Sequence, residues 1–178
     1  MTSPRLPFAS EQGPTADLLR ARRGGQLSGL DRVLLHSPPV AEGWNALLGA
    51  LRSGTTLSAD LRELIILRVA VLNGAAFEWT AHEPIARRAG LGDDQLAALR
   101  SRDAGSASVW TPPQAAVLAF TDASTTSVTV PEPVFAALRA HLDERQVVEA
   151  AATVGGYAMV SRFLVALEVP PPDGEVAG

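Results

Sequence analysis

Leu61-Arg62-Glu63-Leu64-Ile65-Ile66-Leu67-Arg68-Val69-Ala70-Val71-Leu72 is the most apolar stretch of the chain, and Asn73-Gly74 closes it. Ser58 stands ahead of it as a capping hydroxyl, with Asp60 in the first turn, where the helix dipole favours a carboxylate. Leu61, Leu64, Ile65, Leu67, Val69, Val71 and Leu72 leave almost no polar face. A helix apolar nearly all round is buried, so this stretch predicts the central helix of a helical core. Asn73-Gly74 ends or kinks it. A second helix resumes over 75–89, and Gly90 stops it.

Outward from this pair the punctuation stays helical. Residues 16–23 read as a short helix ended by Gly24-Gly25, and residues 30–35 as one or two turns. Ser37-Pro38-Pro39 starts a helix reaching about Arg52, with Gly54 as its stop. Residues 93–101 form a short helix. Thr111-Pro112-Pro113 starts another that runs to about Ala123. Residues 131–142 make a further helix, and Asp143 begins the longest, from Glu144 to about Leu167. Gly155-Gly156 inside it permits close packing. Residues 124–130 are rich in Ser, Thr and Val, but a lone strand has no partner, so they read as a loop. The class is all-α: one domain over 15–169, a bundle of about six to eight helices. The proline-broken ends, 1–14 and 170–178, read as flexible tails.

Composition narrows the chemistry. The chain has 178 residues, enough for one domain with a real core. Cys is 0, which removes disulfides, thiolate catalysis and cysteine metal sites. All 15 basic residues are Arg, so no side-chain Schiff base can form. A net charge of −4 argues against a nucleic-acid partner. No apolar run reaches the roughly 18–20 residues of a membrane span, and Met1–Gln12 has no signal-like apolar core, so the expected location is cytoplasmic. The three histidines, His36, His82 and His141, are scattered, and no metal is expected. His36 sits at a helix start and His141 on an amphipathic helix, and both read as structural.

The remaining chemistry gathers at Glu63, Glu78 and His82. Glu63 lies on the apolar helix, where a carboxylate is either on the one wet edge or buried with a partner. Glu78 and His82 are four apart and share a helix face. If the turn at Asn73-Gly74 folds that face back, the three meet in a pocket suited to proton transfer. The alternatives are an exposed Glu63, or one paired with Arg62 or Arg68, and a surface Glu78–His82 pair. Trp79 and Tyr157, the only Tyr, are candidate lining residues. Arg68 and Arg162 are candidate carboxylate binders, since an Arg fork matches a carboxylate; a salt bridge would explain them equally well. The central helix is also apolar on more faces than a thin helical layer covers, which predicts burial between subunits.

The stretch from Leu61 to Ala70, then Asn73-Gly74-Ala75-Ala76-Phe77-Glu78-Trp79-Thr80-Ala81-His82-Glu83-Pro84-Ile85-Ala86, resembles the carboxymuconolactone decarboxylase family. Residues 151–162 resemble that family's C-terminal helix, and the likeness covers roughly residues 30–169. The superfamily includes alkyl hydroperoxidase D, whose members carry a Glu, a CxxC pair and a His. On this chain those positions fall on Glu63, on Ala75 and Glu78, and on His82. Both thiols are absent, which excludes a thiol peroxidase. The resemblance implies a decarboxylase-like, cofactor-independent lyase on a small unsaturated lactone or carbonyl acid. It also implies a homo-oligomer, a trimer or hexamer. Two other readings stay open: proton transfer or isomerisation on a different small carbonyl compound, and a non-catalytic oligomeric binding or scaffold protein.

Overall fold

The computed structural model describes residues 4–101 and 103–171. Among them are nine α-helices, one short 3-10 turn at Ala104–Ser106 and no strand. The helices are α1 (Pro14–Arg23), α2 (Gly29–Leu34), α3 (Pro38–Ser53), α4 (Ala59–Leu72), α5 (Ala76–Arg88), α6 (Asp93–Leu99), α7 (Pro112–Ser127), α8 (Glu132–Arg139) and α9 (Glu144–Ala166). The all-α class holds. None of the described helices is long and apolar enough to cross a membrane.

α4 is the axis of the molecule. It packs against α5, α7 and α9, while α3 rests on α1, α2 and α9. Leu64, Ile65, Ile66, Leu67 and Val69 are completely buried within the one chain. This corrects the expectation that α4 would leave apolar surface for a subunit contact, because three neighbouring helices cover it from different sides. The exposed large apolar groups lie elsewhere, among them Val148, Met159 and Val165 on α9.

Two further expectations fail locally. Ser58 does not cap α4 with its side chain; its hydroxyl donates to Asp60 Oδ1 at 2.6 Å, and Ser37 makes no capping bond either. Residues 124–127 are not loop but the last turn of α7. There the Thr126 hydroxyl donates back to the Asp122 carbonyl (2.7 Å), so a Thr in the helix finds a local acceptor. The helix ends at Val128, which sits at φ 63.

Residues 4–13 carry no regular element but are docked. Arg5 N–H donates to the Leu167 carbonyl (2.9 Å), Ala9 N–H donates to Arg32 (3.0 Å), and the His36 ring contacts the Pro7 carbonyl through Nε2 at 2.7 Å. The tail read over 170–178 lies, beyond Pro171, outside the described residues, as do residues 1–3.

Two glycines position the site. Gly74 adopts φ 66, the left-handed conformation that suits glycine, and Ala75 N–H reaches back to the Ala70 carbonyl at 2.8 Å. The chain therefore reverses, and α5 returns along α4. At Gly156 a Cβ would lie only 2.9 Å from Leu51 Cδ1. Glycine lets α3 and α9 approach, which brings Arg52, beside Leu51, to Tyr157, beside Gly156.

Candidate active site

The reversal at Gly74 places the Glu78–His82 face of α5 against Glu63 of α4. All three side chains are buried, with residue exposures of 2% for Glu63, 2% for Glu78 and 4% for His82. His82 Nδ1 lies 2.7 Å from Glu63 Oε2, and Nε2 lies 3.5 Å from Glu78 Oε2. With Glu63 ionised, the short contact fixes the ring proton on Nδ1 and orients the imidazole. Nε2 is then left facing Glu78 across a gap wider than a good hydrogen bond. Glu78 Oε2 is buried and accepts no hydrogen bond among the described residues. Arg62 Nε stands 3.6 Å from the other oxygen of Glu63. Of the alternatives left open by sequence, an exposed Glu63 and a surface Glu78–His82 pair are both ruled out by this burial.

Tyr157 of α9 closes the cluster. It is fully buried, and its ring meets that of His82 edge-on, with centroids 5.3 Å apart at 89°. Arg52 Nε donates to the Tyr157 hydroxyl at 3.0 Å. Burial pushes the Tyr157 phenol up to about 12, with the Arg52 guanidinium opposing and the Glu78 carboxylate adding to the push. Burial works against the charge of Arg52, but the Tyr157 oxygen and the Glu78 carboxylate outweigh it and hold Arg52 above its ordinary value. The result is a continuous polar patch in an apolar core, running Glu63–His82–Glu78 with Tyr157 and Arg52 beside it.

The adjoining face of α5 lines a cleft of about 390 Å³, open to solvent. Ala70 and Val71 of α4 form one wall, Gly74, Ala75 and Ala76 the turn, and Trp79, Thr80 and Arg100 the rim. Trp79 therefore lines this cleft. Its indole Nε1 donates to Glu83 Oε2 at 2.9 Å, and the Arg100 guanidinium lies 4.0 Å over its ring. The two features are back to back, since Glu78 and Trp79 are consecutive.

Two sequence candidates fall away from the site. Arg68 is buried, but its Nε and Nη2 donate to Asp122 at 2.5 and 3.0 Å, and Nη1 donates to the carbonyls of Leu99 and Ser101 at 2.8 and 2.7 Å. It ties α4 to α7 and to the end of α6, so its fork is occupied by the protein itself. Arg162 is exposed on the outer face of α9 and pairs with no acid among the described residues. His141 is exposed as well. Sequence reading missed Arg52 and Arg100. Both sit near helix C-termini, where an Arg is ordinary, and neither has a local pattern that marks it; only the Gly156 approach and the Trp79 ring give them a role.

The nine helices of the described residues, with a buried Glu–His–Glu cluster on the α4–α5 reversal, have the alkyl hydroperoxidase D-like helical fold. The alkylhydroperoxidase AhpD core protein from Ralstonia eutropha JMP134, an uncharacterised peroxidase-related protein, superimposes with a TM-score of 0.79 at 22% identity, covering 96% of this chain and 93% of that one. A protein of unknown function from Agrobacterium tumefaciens, provisionally described as an antioxidant defence protein AhpD, is 25% identical over 79% of this chain and 95% of its own, with a TM-score of 0.72. A cysteine-to-alanine variant of the debrominase Bmp8, in complex with 2,3,4-tribromopyrrole, matches at 18% identity and a TM-score of 0.75, covering 89% and 85%. No curated protein matches the chain. The sequence model of the carboxymuconolactone decarboxylase family matches residues 38–124. The match runs from the start of α3 into α7 and includes Glu63, Glu78 and His82.

Proposed function

We propose that the protein is a cofactor-independent lyase of the carboxymuconolactone decarboxylase type, acting on a small unsaturated lactone or carbonyl acid by proton transfer. The observation that carries this reading is the buried Glu78 oxygen without a hydrogen-bond donor, 3.5 Å from an imidazole nitrogen. Burying such a group with only a long contact to His82 costs on the order of 1–3 kcal/mol. Such arrangements concentrate at functional sites. One structural neighbour is a debrominase, so this fold carries enzymes.

In the proposed reaction the carbon–carboxylate bond breaks and CO2 leaves. The electron pair passes into the conjugated carbonyl, and one proton is added to carbon. His82, held by Glu63 at Nδ1 and carrying a second proton at Nε2, gives the Nε2 proton to the substrate carbon directly or through Glu78, and solvent reprotonates Nε2. Tyr157, bonded by Arg52, packs edge-on against the ring. Wild type is tested against a panel of unsaturated lactones and β-keto acids, following CO2 release and the loss of conjugation in the ultraviolet. With a substrate in hand, His82→Gln should lower kcat by about two to four orders of magnitude, and Glu63→Gln should lower it as well. Near-normal turnover by folded His82→Gln, or no turnover of any panel member by wild type, refutes the reading.

A further inference from the structure

The cleft beside Trp79 has small, uncharged walls except at one point. Ala75, Ala76 and Val71 present a low apolar surface, Trp79 a flat aromatic one, and no carboxylate lines it. Arg100 is its single charged lining residue. The guanidinium is held 4.0 Å over the indole, a cation–π contact that limits where it can go. Its one ion pair is long, 3.9 Å to Glu83 Oε2. Glu83 is already committed: it accepts from Trp79 Nε1 at 2.9 Å and from Arg87 at 2.9 and 3.3 Å. The N–H groups of Arg100 therefore make no hydrogen bond among the described residues, and they stand at the edge of an apolar cleft.

We infer that this cleft binds a small planar carboxylate, an aromatic or conjugated acid, with Arg100 as the residue that receives its carboxylate. An Arg fork pairs with both oxygens of a carboxylate in one plane, and the aromatic support fixes the fork before the ligand arrives. The apolar walls suit a flat hydrocarbon body, and the volume lies within the range of small-molecule sites. A neutral ligand leaves the guanidinium unanswered. A phosphate dianion brings a second charge for which the cleft holds no second cation. A ligand anchored here lies over Ala75 and Ala76, on the helical turn that carries Glu78. As a substrate subsite, this assignment rests on the lyase reading; as a binding site it does not.

The test is calorimetric titration of the whole protein with benzoate and with benzamide, its neutral isostere. Wild type should bind benzoate at least about tenfold more tightly than benzamide. Arg100→Gln should weaken benzoate by about ten- to a hundredfold and leave benzamide unchanged, the loss expected for a charge-assisted pair. Arg100 is a surface side chain, so the variant keeps the core intact. Arg162→Gln, which removes a remote exposed cation, should have no effect. Absence of benzoate binding by wild type, equal binding of acid and amide, unchanged affinity in Arg100→Gln, or an equal loss in Arg162→Gln overturns the assignment. Arg100-dependent benzoate binding by a protein that turns over no lactone or β-keto acid would instead sink the lyase reading and leave this site standing.

Discussion

Alkaline titration of Tyr157 gives a direct reading of the buried cluster. The phenol is pushed from the ordinary 10.0 up to about 12, first by burial. The sign follows from which state keeps its proton. Between about pH 10 and 12 the unfolded chain releases the phenolic proton and the folded chain retains it, so folding loses stability as pH rises through that window. The contribution is fully present below about 10 and gone above about 12. A gap of about two pH units corresponds to about 2–3 kcal/mol, lost at about 1.4 kcal/mol per pH unit. Tyr157→Phe is the matched control, because it removes the titrating group and nothing else that ionises. At neutral pH it should be less stable than wild type by about 1 kcal/mol, for the lost bond from Arg52. The ranking should invert close to about pH 11, where the falling wild-type curve crosses that of the variant. With one Tyr in the chain, tyrosinate absorbance in the near ultraviolet reports this residue alone. Expected are no tyrosinate in the folded protein at pH 10, and its appearance only with unfolding or well above that pH. A reversible tyrosinate signal near pH 10 with full helical circular dichroism, or parallel stability curves for the two proteins, refutes the argument.

The Arg68–Asp122 pair should be asymmetric. The Arg68 side chain is 1% exposed and that of Asp122 is 32%, so Asp122→Ala removes the carboxylate paired with a buried cation and should cost about 3 kcal/mol, whereas in Arg68→Met the carboxylate can turn to water and the loss should be smaller; equal losses in chemical denaturation would contradict this. Self-association should use the outer face of α9, where Val148, Met159 and Val165 are exposed: light scattering should give a mass above the 18.6 kDa of one chain and Met159→Glu should lower it, while a wild-type monomer at micromolar concentration would refute the proposal.

The sequence makes α4, α5 and α9 legible because their apolar runs are long and their stops are glycines or an Asn-Gly turn. It also names Glu63, Glu78 and His82 as a group, since the i,i+4 spacing and the intervening turn are local facts. What it does not carry is the partnership of side chains far apart in the chain. Arg68 and Arg162 look alike in the sequence as arginines on apolar helices, yet one is enclosed by α6 and α7 and the other faces outward. Tyr157 and Arg52 are 105 residues apart, and only the close approach at Gly156 joins them. Residues 124–127 read as a loop because Ser and Thr are weak helix formers, whereas here they extend α7 and Thr126 bonds back onto it.

The Arg68 anchor also governs the order in which the molecule can be assembled. α4 is the centre of the core, but drying its surroundings entombs a cation whose counter-charge lies 54 residues further along the chain. Until α7 delivers Asp122 and the end of α6 delivers its two carbonyls, closing the core around α4 is penalised. A growing polypeptide therefore gains little from docking α3, α4 and α5 early, and a fragment ending before α7 should stay loosely packed. Although α3 through α5 contain the whole Glu–His–Glu cluster, they cannot be lifted out as a minimal unit. The site is inherited with its scaffold, and transplanting it would require α7 to travel too.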